Sequence, residues 1–296
     1  MADQNSFTLI NEQNGDLAFK LFFFEDNSYF DHLQRNNYYS MVWIRKGTGK
    51  LKTGFSEYSF GQNSLFSFAP YQPFLFSFST IKGVAIYFHS DFFCIHKHQT
   101  EVTCNGILFN NIYDTPFFFV DENLEVTLND VIEKIRAEIR NPGFAQYELL
   151  ISYMKIFLIA ASRSKTQQQL HAVPLKRNKK EPFILQDLKD AIEKDFRSKH
   201  APKEYAASLN ISLTALTKIT KTHLNKSLTN LITERIIIEA KRELYLTNKS
   251  IKELAYELGY DDEFYFSRLF KKNANVSPQM YRETVGFGKA ETDQSE

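Results

Sequence analysis

The stretch from residue 250 to residue 282 constrains the fold more than any other part of the chain, because two short helical patterns meet there across a tight turn. Apolar side chains recur at helical spacing from Ile251 to Leu258, and Ser250 stands where an N-cap hydroxyl can accept from an amide of the first turn. Gly259 follows where the chain needs a positive φ to leave a helix. The pattern predicts a helix, a turn and a second helix.

The second helix of this stretch has an apolar side and a mixed polar side. Asp261 or Asp262 offers its N-cap, Asn275 suits a left-handed residue at its end, and Pro278 prevents it from continuing. A short helix with a mixed polar and basic face suits the major groove of DNA. The spacing predicts burial of Tyr265, Phe266, Leu269 and Phe270, and a partner-facing surface of Glu263, Phe264, Ser267, Arg268, Lys271 and Lys272.

A weaker copy of the same pattern lies about 50 residues earlier, which is a period typical of an internal repeat. Ala206 stands 49 positions before Ala255, and Asn225 stands 50 positions before Asn275. A helical pattern from residue 231 to residue 244 joins the two copies, and another from Leu185 to Phe196 precedes them. We therefore expect two helix-turn-helix units joined by a long helix.

These residues resemble the signature of the AraC/XylS transcription regulators. The resemblance departs from the family at Asn275, where Gly is usual, and at Ala274, which replaces an aromatic residue. It implies a homodimeric transcription regulator, by family precedent an activator, whose partners are double-stranded DNA and RNA polymerase. The matched positions are Ile251, Leu254-Ala255, Gly259-Tyr260, Asp262, Phe266, Arg268, Phe270-Lys271, Val276-Ser277-Pro278 and Tyr281-Arg282.

The resemblance also assigns positions that face DNA bases. Lys218 or Arg268 can donate to guanine, Glu263 can accept from cytosine, and Phe264 can contact a thymine methyl group. For each of them a phosphate contact or an exposed side chain is the alternative, and Arg268 could instead pair with Asp262 or Glu263. The full set of expected DNA-binding residues is Thr214, Thr217 and Lys218 in the first unit and Glu263, Phe264, Ser267, Arg268 and Lys271 in the second.

The N-terminal half has a different character, with short aromatic and β-branched runs separated by Gly, Pro, Asn and Ser. Such spacing favours a small β-barrel or sandwich, after a polar start that we expect to be loosely ordered up to about residue 18. This half resembles the cupin-like effector-binding barrel of the family, with a hairpin at Gly47-Thr48-Gly49. The expected strands are residues 38–44, 47–52, 57–60, 64–68, 74–78 and 83–88.

An aromatic barrel interior could hold a small apolar or aromatic effector, although aromatic residues more often only fill a core. The loose candidates for such a site are Phe22, Tyr39, Phe66, Phe76 and Phe88. Action without any ligand is an alternative.

One short span contains several side chains that are able to ligate zinc or iron. We favour a polar loop or short helix there, with exposed histidines and reduced, buried thiols, and we expect no metal, no cofactor and no enzymatic activity. The alternative is a metal-dependent cupin enzyme fused to a DNA-binding module, with His96 and His98 on one strand face. The span contains Cys94, His96, His98, Glu101 and Cys104.

Two apolar helical stripes, residues 124–139 and 147–158, flank the break Asn141-Pro142-Gly143 and predict a helical hairpin. The hairpin serves either as a dimer contact, which the resemblance implies, or as a lid on the barrel. The expected class is thus a two-domain α+β protein. Its cupin-like β-barrel with helical hairpin spans 1–163, a linker 164–182, an all-α, homeodomain-like double helix-turn-helix domain 183–286, and a polar tail 287–296.

Charge and cysteine content limit the class of protein further. A formal net charge of +1 argues against a uniformly basic coat for nucleic acid, so DNA affinity must come from a local surface. Two cysteines cannot form the disulfide framework of a secreted domain, and we find no signal-peptide pattern. With no apolar run approaching the roughly 20 residues that span a bilayer, we expect a cytoplasmic protein. A purely architectural DNA binder stays a third possibility.

Overall fold

The computed structural model describes residues 5–11, 15–26, 28–54, 56–78, 80–102, 104–175 and 183–285. The chain divides into two compact units, one of residues 1–111 with 115–173 and one of residues 112–114 with 174–296. The expected tail and residues 176–182 of the expected linker lie outside the described residues. Within those described ranges, no helix is long and apolar enough to cross a membrane.

The first unit is built around two antiparallel sheets. Six strands form one sheet in the order β1-β2-β8-β3-β6-β9, and three strands form the other in the order β5-β4-β7. A four-residue helix, α1 (Gln99–Val102), precedes β9. The strands are β1 (Ser6–Ile10), β2 (Leu17–Phe24), β3 (Tyr39–Lys46), β4 (Gly49–Thr53), β5 (Ser56–Phe60), β6 (Ser64–Phe68), β7 (Phe74–Phe78), β8 (Lys82–Phe88) and β9 (Phe117–Phe119).

The six strands expected from the sequence are confirmed to within two residues at most ends, but two expectations about their surroundings are wrong. The start of the chain is not loosely ordered throughout, since β1 pairs with β2 and buries Phe7 opposite Leu21. The segment Gly47-Thr48-Gly49 is not a hairpin, because β3 and β4 lie in different sheets. Gly47 has φ +107°, a conformation that L side chains rarely adopt, where the chain passes between the sheets.

Alternate residues of the large sheet contribute to two different cores, as expected for strands whose side chains point to opposite faces in turn. One core lies between the sheets and is dominated by aromatic rings, such as Phe66 and Phe76, whose centroids are 4.9 Å apart. Its buried members are Phe22, Phe24, Phe30, Val42, Ile44, Leu51, Phe60, Phe66, Phe68, Phe74, Phe76, Ile81, Ala85 and Tyr87.

The second core lies on the other face of the large sheet, beneath two long helices, α2 (Glu122–Arg140) and α3 (Gln146–Leu175). Leu128, Ile132 and Ile135 of α2 are buried there, together with Met154 and Phe157 of α3. The helical pair separated at Asn141-Pro142-Gly143 is therefore confirmed. Each helix buries one apolar stripe, as its spacing predicted.

Helix α3 is longer than expected and corrects the proposed start of the linker. It continues to Leu175 and so includes residues 164–175 of the expected linker. The polar run there contains several glutamines, which have good intrinsic helix propensity. The amide side chain of Gln168 also accepts from the backbone N–H of Phe119 at 3.1 Å, which ties this part of the helix to β9.

The second unit is entirely helical where it is described. Its central helix α7 packs against each of the six other described helices of the unit. The helices are α4 (Phe183–Asp195), α5 (Pro202–Ser208), α6 (Leu213–Leu224), α7 (Leu228–Leu246), α8 (Ile251–Glu257), α9 (Glu263–Ala274) and α10 (Pro278–Val285).

Candidate nucleic-acid interface

Local side-chain caps set the bounds of the second helix-turn-helix unit, α8 and α9. The Ser250 hydroxyl accepts from the Glu253 amide at 3.1 Å, and the Glu253 carboxylate accepts from the Ser250 amide at 2.7 Å. This reciprocal pair is a capping box, which satisfies two amide groups at the start of α8. Gly259 then adopts φ +80°, and Asp262 accepts from the Phe264 amide at 2.8 Å to start α9. The expected helix, turn and helix are confirmed.

The first helix-turn-helix unit, α5 and α6, has the same kinds of turn and helix cap as the second, formed by different residues. Asn210 takes a positive φ of 52°, 49 positions before Gly259, and Ser212 caps α6 where Asp262 caps α9. The second helices of the two helix-turn-helix units, α6 and α9, both end at an asparagine in the left-handed conformation, Asn225 at φ 54° and Asn275 at φ 64°. The expectation that Asn275 supports this turn in place of glycine is confirmed.

Pro278 does more than stop α9, because it also begins a helix that the sequence patterns did not predict. It is the first residue of α10, and Ser277 before it accepts from the Met280 amide at 3.1 Å. Proline is favoured at this position since its missing N–H would have had no partner inside the helix. A serine followed by proline was the signal that could have revealed α10 in advance.

Burial divides α9 into two faces. Phe266, Phe270 and Ala274 are fully buried at i, i+4 and i+8. Our expectation that Tyr265 is buried is wrong, since 52% of it is exposed. It lies one position off the apolar stripe, which leaves its ring beside Tyr260 with centroids 5.9 Å apart.

Four of the five expected DNA-binding residues of α9 lie on a face away from this buried stripe, and Glu263 does not, because it stands three positions before buried Phe266. Phe264 is 67% exposed although it is a large apolar residue, and Arg268 and Lys271 are also exposed. Glu263 and Ser267 are half-buried. Residues three and four apart on a helix are neighbours, so Phe264, Ser267, Arg268 and Lys271 form one continuous surface.

Arg268 is only loosely held by its nearest acidic neighbour. Its Nη2 lies 3.9 Å from Oδ2 of Asp262, and the two side chains are 70% and 57% exposed. Exposed pairs of this kind contribute about 0–1 kcal/mol, which a ligand contact easily replaces. The guanidinium is therefore available to donate to a phosphate or a guanine edge.

The same face occurs on α6, 50 residues earlier. Thr214, Thr217 and Lys218 are all exposed there, at the positions corresponding to Phe264, Ser267 and Arg268. Lys221, which was absent from the expected set, is exposed at the position corresponding to Lys271. The repeat of 50 positions was the signal that could have identified it.

A buried carboxylate on α7, the helix between the two helix-turn-helix units, is surrounded by three arginines. Glu239 is 5% exposed and accepts from Arg197 at 2.6 Å, Arg242 at 3.0 Å and Arg235 at 3.1 Å. Burial by itself raises the pKa of a carboxyl group, but the positive charge of Arg235 and the neighbouring arginines outweighs that effect and lowers the pKa of Glu239. The cluster joins α7 to the segment after α4.

The effector candidates of the first unit do not share one site. Phe22, Phe66 and Phe76 lie in the core between the sheets. Tyr39 and Phe88 lie in the core beneath α2 and α3. Strand register explains the division, because residues an odd number of positions apart point to opposite faces.

The cysteine and histidine span is a loop followed by α1 and not a strand, so His96 and His98 do not share a strand face. Glu101 accepts from Lys155 at 2.5 Å and lies 3.4 Å from the His98 ring. Cys94 and Cys104 are buried and not cross-linked, and burial raises the pKa of the Cys104 thiol to about 12. Among the described residues, no group of three or more His, Cys, Asp or Glu side chains could hold a metal ion.

Comparison with known proteins bears directly on the helical unit. A family model described as a helix-turn-helix domain matches residues 205–284. The raffinose operon transcriptional regulatory protein RafR of Pediococcus pentosaceus is 38% identical over 79 residues, which are 27% of this chain and 28% of the relative. The match thus spans little more than a quarter of that relative.

Two further comparisons extend over most of the chain. YfiF of Bacillus subtilis, an uncharacterized helix-turn-helix transcriptional regulator, is 21% identical over 267 residues, covering 86% of this chain and 80% of the relative. An apo ToxT variant from Vibrio cholerae is 16% identical, covers 91% of this chain and 98% of its own, and has a TM-score of 0.43. That TM-score does not by itself establish a common fold.

The two capped helix-turn-helix units, together with the matched region, identify the class of this domain. Residues 205–284 form an AraC-type helix-turn-helix domain, the DNA-binding domain of transcription regulators.

Proposed function

We propose that this chain is a sequence-specific regulator of transcription that reads two adjacent blocks of duplex DNA, one with α6 and one with α9. The observation that carries the proposal is a matched pair of faces whose residues are all exposed except for half-buried Ser267: Thr214, Thr217, Lys218 and Lys221 on α6, and Phe264, Ser267, Arg268 and Lys271 on α9. Each face combines hydrogen-bonding and basic groups on a short, capped helix that fits a major groove.

The test is selection of duplexes from a random-sequence library by the purified protein, followed by footprinting on the best duplex. Arg268→Ala is compared with Lys194→Ala, which removes the same charge from an exposed position on α4. We expect Arg268→Ala to weaken the selected site by roughly 5- to 150-fold, the cost of one lost base contact. Equal small losses in both variants would mean that Arg268 supplies only charge.

The salt dependence separates base reading from bulk attraction. Residues 183–286 contain 17 Lys and Arg against 14 Asp and Glu, a small positive excess. We expect a shallow dependence of affinity on salt, since each neutralised phosphate steepens the slope by about 0.9. A steep slope, or no preferred sequence at all, would favour the alternative of an architectural DNA binder.

We further propose that the protein acts as a homodimer through an exposed stripe on α3. Three exposed apolar residues of α3 stand at multiples of seven positions from one another: Leu149, Ile156 and Leu170. Such a period is typical of a helix that pairs with another helix. An antiparallel arrangement about Ile156 would also bring exposed Glu148 of one copy near exposed Arg163 of the other.

Sedimentation of the whole chain tests the dimer. Ile156→Asp should shift the protein toward the monomer, because it places a charge in an apolar contact. Val126→Asp, at a position that is 71% exposed on α2, is the matched control and should leave the association unchanged. If both variants sediment like the wild type, α3 does not form the contact.

The remaining parts of the proposal follow from the family resemblance. They are activation through contact with RNA polymerase, action in the cytoplasm, and control by a small apolar ligand among the rings between the two sheets, near Phe22, Phe66 and Phe76. Native mass spectrometry of gently purified protein tests the last point directly. A bound organic molecule supports an effector, whereas a stoichiometric metal ion would revive the alternative of a cupin enzyme.

A further inference from the structure

A short segment between the first two helices of the second unit touches three of its parts. The segment is residues 196–201, which we call the clasp. Toward α7, the ring of Phe196 is buried under the guanidinium of Arg235, whose Cζ lies 3.9 Å from the ring centroid. The side chain of Arg197 donates to buried Glu239 at 2.6 Å. The start of the clasp is therefore fixed to the central helix.

Toward the first helix-turn-helix unit, side chains of α5 form hydrogen bonds with the backbone of the clasp. The Tyr205 hydroxyl of α5 donates to the carbonyl of Lys199 at 2.9 Å, and Tyr205 is fully buried. The Glu204 carboxylate accepts from the Ala201 amide at 2.7 Å. These bonds tie the path of the clasp to α5, the helix that precedes α6.

Toward the second helix-turn-helix unit, the clasp contacts the turn between α8 and α9. The carbonyl of Arg197 approaches Gly259 so closely that a Cβ there would lie 2.2 Å from the oxygen. The His200 ring stacks on Tyr260 with centroids 4.3 Å apart and planes 21° apart. Tyr260 in turn contacts Phe266, a fully buried residue of α9, at 5.6 Å.

We propose that the clasp, through the contacts of Arg197 with Gly259 and of His200 with Tyr260, sets the orientation of α9 relative to α6. It thereby determines the spacing of the two DNA blocks that one chain accepts. This inference rests on the proposed two-block reading of DNA. His200 is a positioning residue, because its ring lies on the turn before α9 and acts on DNA through that helix. Helix α7 joins the two helix-turn-helix units. The clasp adds a second connection, which opposes rotation of one helix-turn-helix unit against the other.

The DNA experiment uses the best duplex from the random library and the same duplex with about five extra base pairs between its blocks, which rotates them by half a helical turn. Wild type should bind the lengthened duplex far more weakly. In His200→Ala we expect affinity for the original duplex to fall about two- to 13-fold, the range of one lost aromatic contact. The penalty for the insertion should shrink by the same factor, while affinity for either block alone stays unchanged.

A second measurement does not depend on DNA. Spin labels at Thr217→Cys and Lys271→Cys, both exposed, report the distance between α6 and α9 by pulsed electron resonance. The native thiols are buried, and the labelled parent chain measures their background. We expect a narrow distance distribution in wild type and in His200→Phe, which keeps a ring on Tyr260, and a broader one in His200→Ala.

The two measurements distinguish the two proposals. If wild type shows no preference between the two duplexes, two-block reading is wrong and the label distances alone decide the role of the clasp. A distribution as narrow in His200→Ala as in wild type would overturn the clasp. A general loss of folding would broaden the distances in His200→Phe as well, and that result would also count against a specific positioning role.

Discussion

Substituting alanine for Gly259 tests the packing of the second helix-turn-helix unit most directly. Two costs combine at this position. The backbone has φ +80°, which costs an L residue about 1–2 kcal/mol. The new Cβ would also lie 2.2 Å from the Arg197 carbonyl oxygen, a backbone atom that cannot rotate away. Overpacking of this kind costs about 1–3 kcal/mol, so we expect a loss of about 2–5 kcal/mol in total.

Gly106 provides a matched control that separates these two terms. It has the same φ of +80°, but its added Cβ would meet no described atom within 4 Å. Gly106→Ala should therefore lose only the backbone term of about 1–2 kcal/mol. The excess loss in Gly259→Ala over Gly106→Ala measures the close contacts of residue 259 with the Arg197 carbonyl and the His200 ring.

Thermal unfolding of the full chain can assign each loss to its unit. Trp43, the one tryptophan of the chain, is buried in the first unit, so its fluorescence reports that unit alone. Circular dichroism reports the helices of both units. Gly259→Ala should lower the Tm of the second unit, followed by circular dichroism, by about 10 °C or more. The Tm that Trp43 fluorescence reports for the first unit should not change. Equal losses in the two glycine variants would refute the close contact at Gly259.

Three further predictions follow from the caps, the ionic cluster and the buried thiol. Ser250→Ala should destabilise the second unit by about 1 kcal/mol in thermal unfolding, because it removes one half of the capping box, and an unchanged transition would contradict that role. Glu239→Gln should destabilise the same unit at neutral pH by about 2 kcal/mol, since it leaves the arginines around Glu239 without their carboxylate, and half-exposed Arg197 and Arg242 moderate the loss. Because the folded pKa of Glu239 is lowered, its stabilisation is present above the unfolded value of about 4.3 and is lost as pH falls through the folded value. The difference between wild type and variant should thus shrink in acid, and a difference independent of pH would argue against the ion pairs. Cys104, buried with a pKa of about 12, should resist alkylation at mildly alkaline pH until urea is added.

The second helix-turn-helix unit was largely predictable because its signals are local. Ser250, Gly259, Asp262 and Asn275 each fix a helix end through their own conformation or side chain, and the structure has all four in the expected roles. The repeat at about 50 positions then predicted the same helix-turn-helix structure for α5 and α6. Local chemistry of this kind needs no knowledge of the rest of the fold.

Features that depend on distant partners could not be predicted in the same way. Tyr265 has an apolar neighbour on each side in sequence, and only its angle on α9 beside Tyr260 leaves it exposed. The five effector candidates are all aromatic strand residues, yet strand register places them in two separate cores. The clasp has no sequence signature, because its contacts join residues 197 and 259, or 200 and 260.

The central place of α7 has a consequence for how the second unit opens. Since α7 packs against all six other described helices of that unit, neither helix-turn-helix can unfold without removing part of the covering of α7. Its amides near Ile236 and Ala240, both buried, should exchange their hydrogens with solvent only when the whole unit opens. The repeated halves should thus behave as one cooperative unit in hydrogen exchange, although the sequence presents them as two.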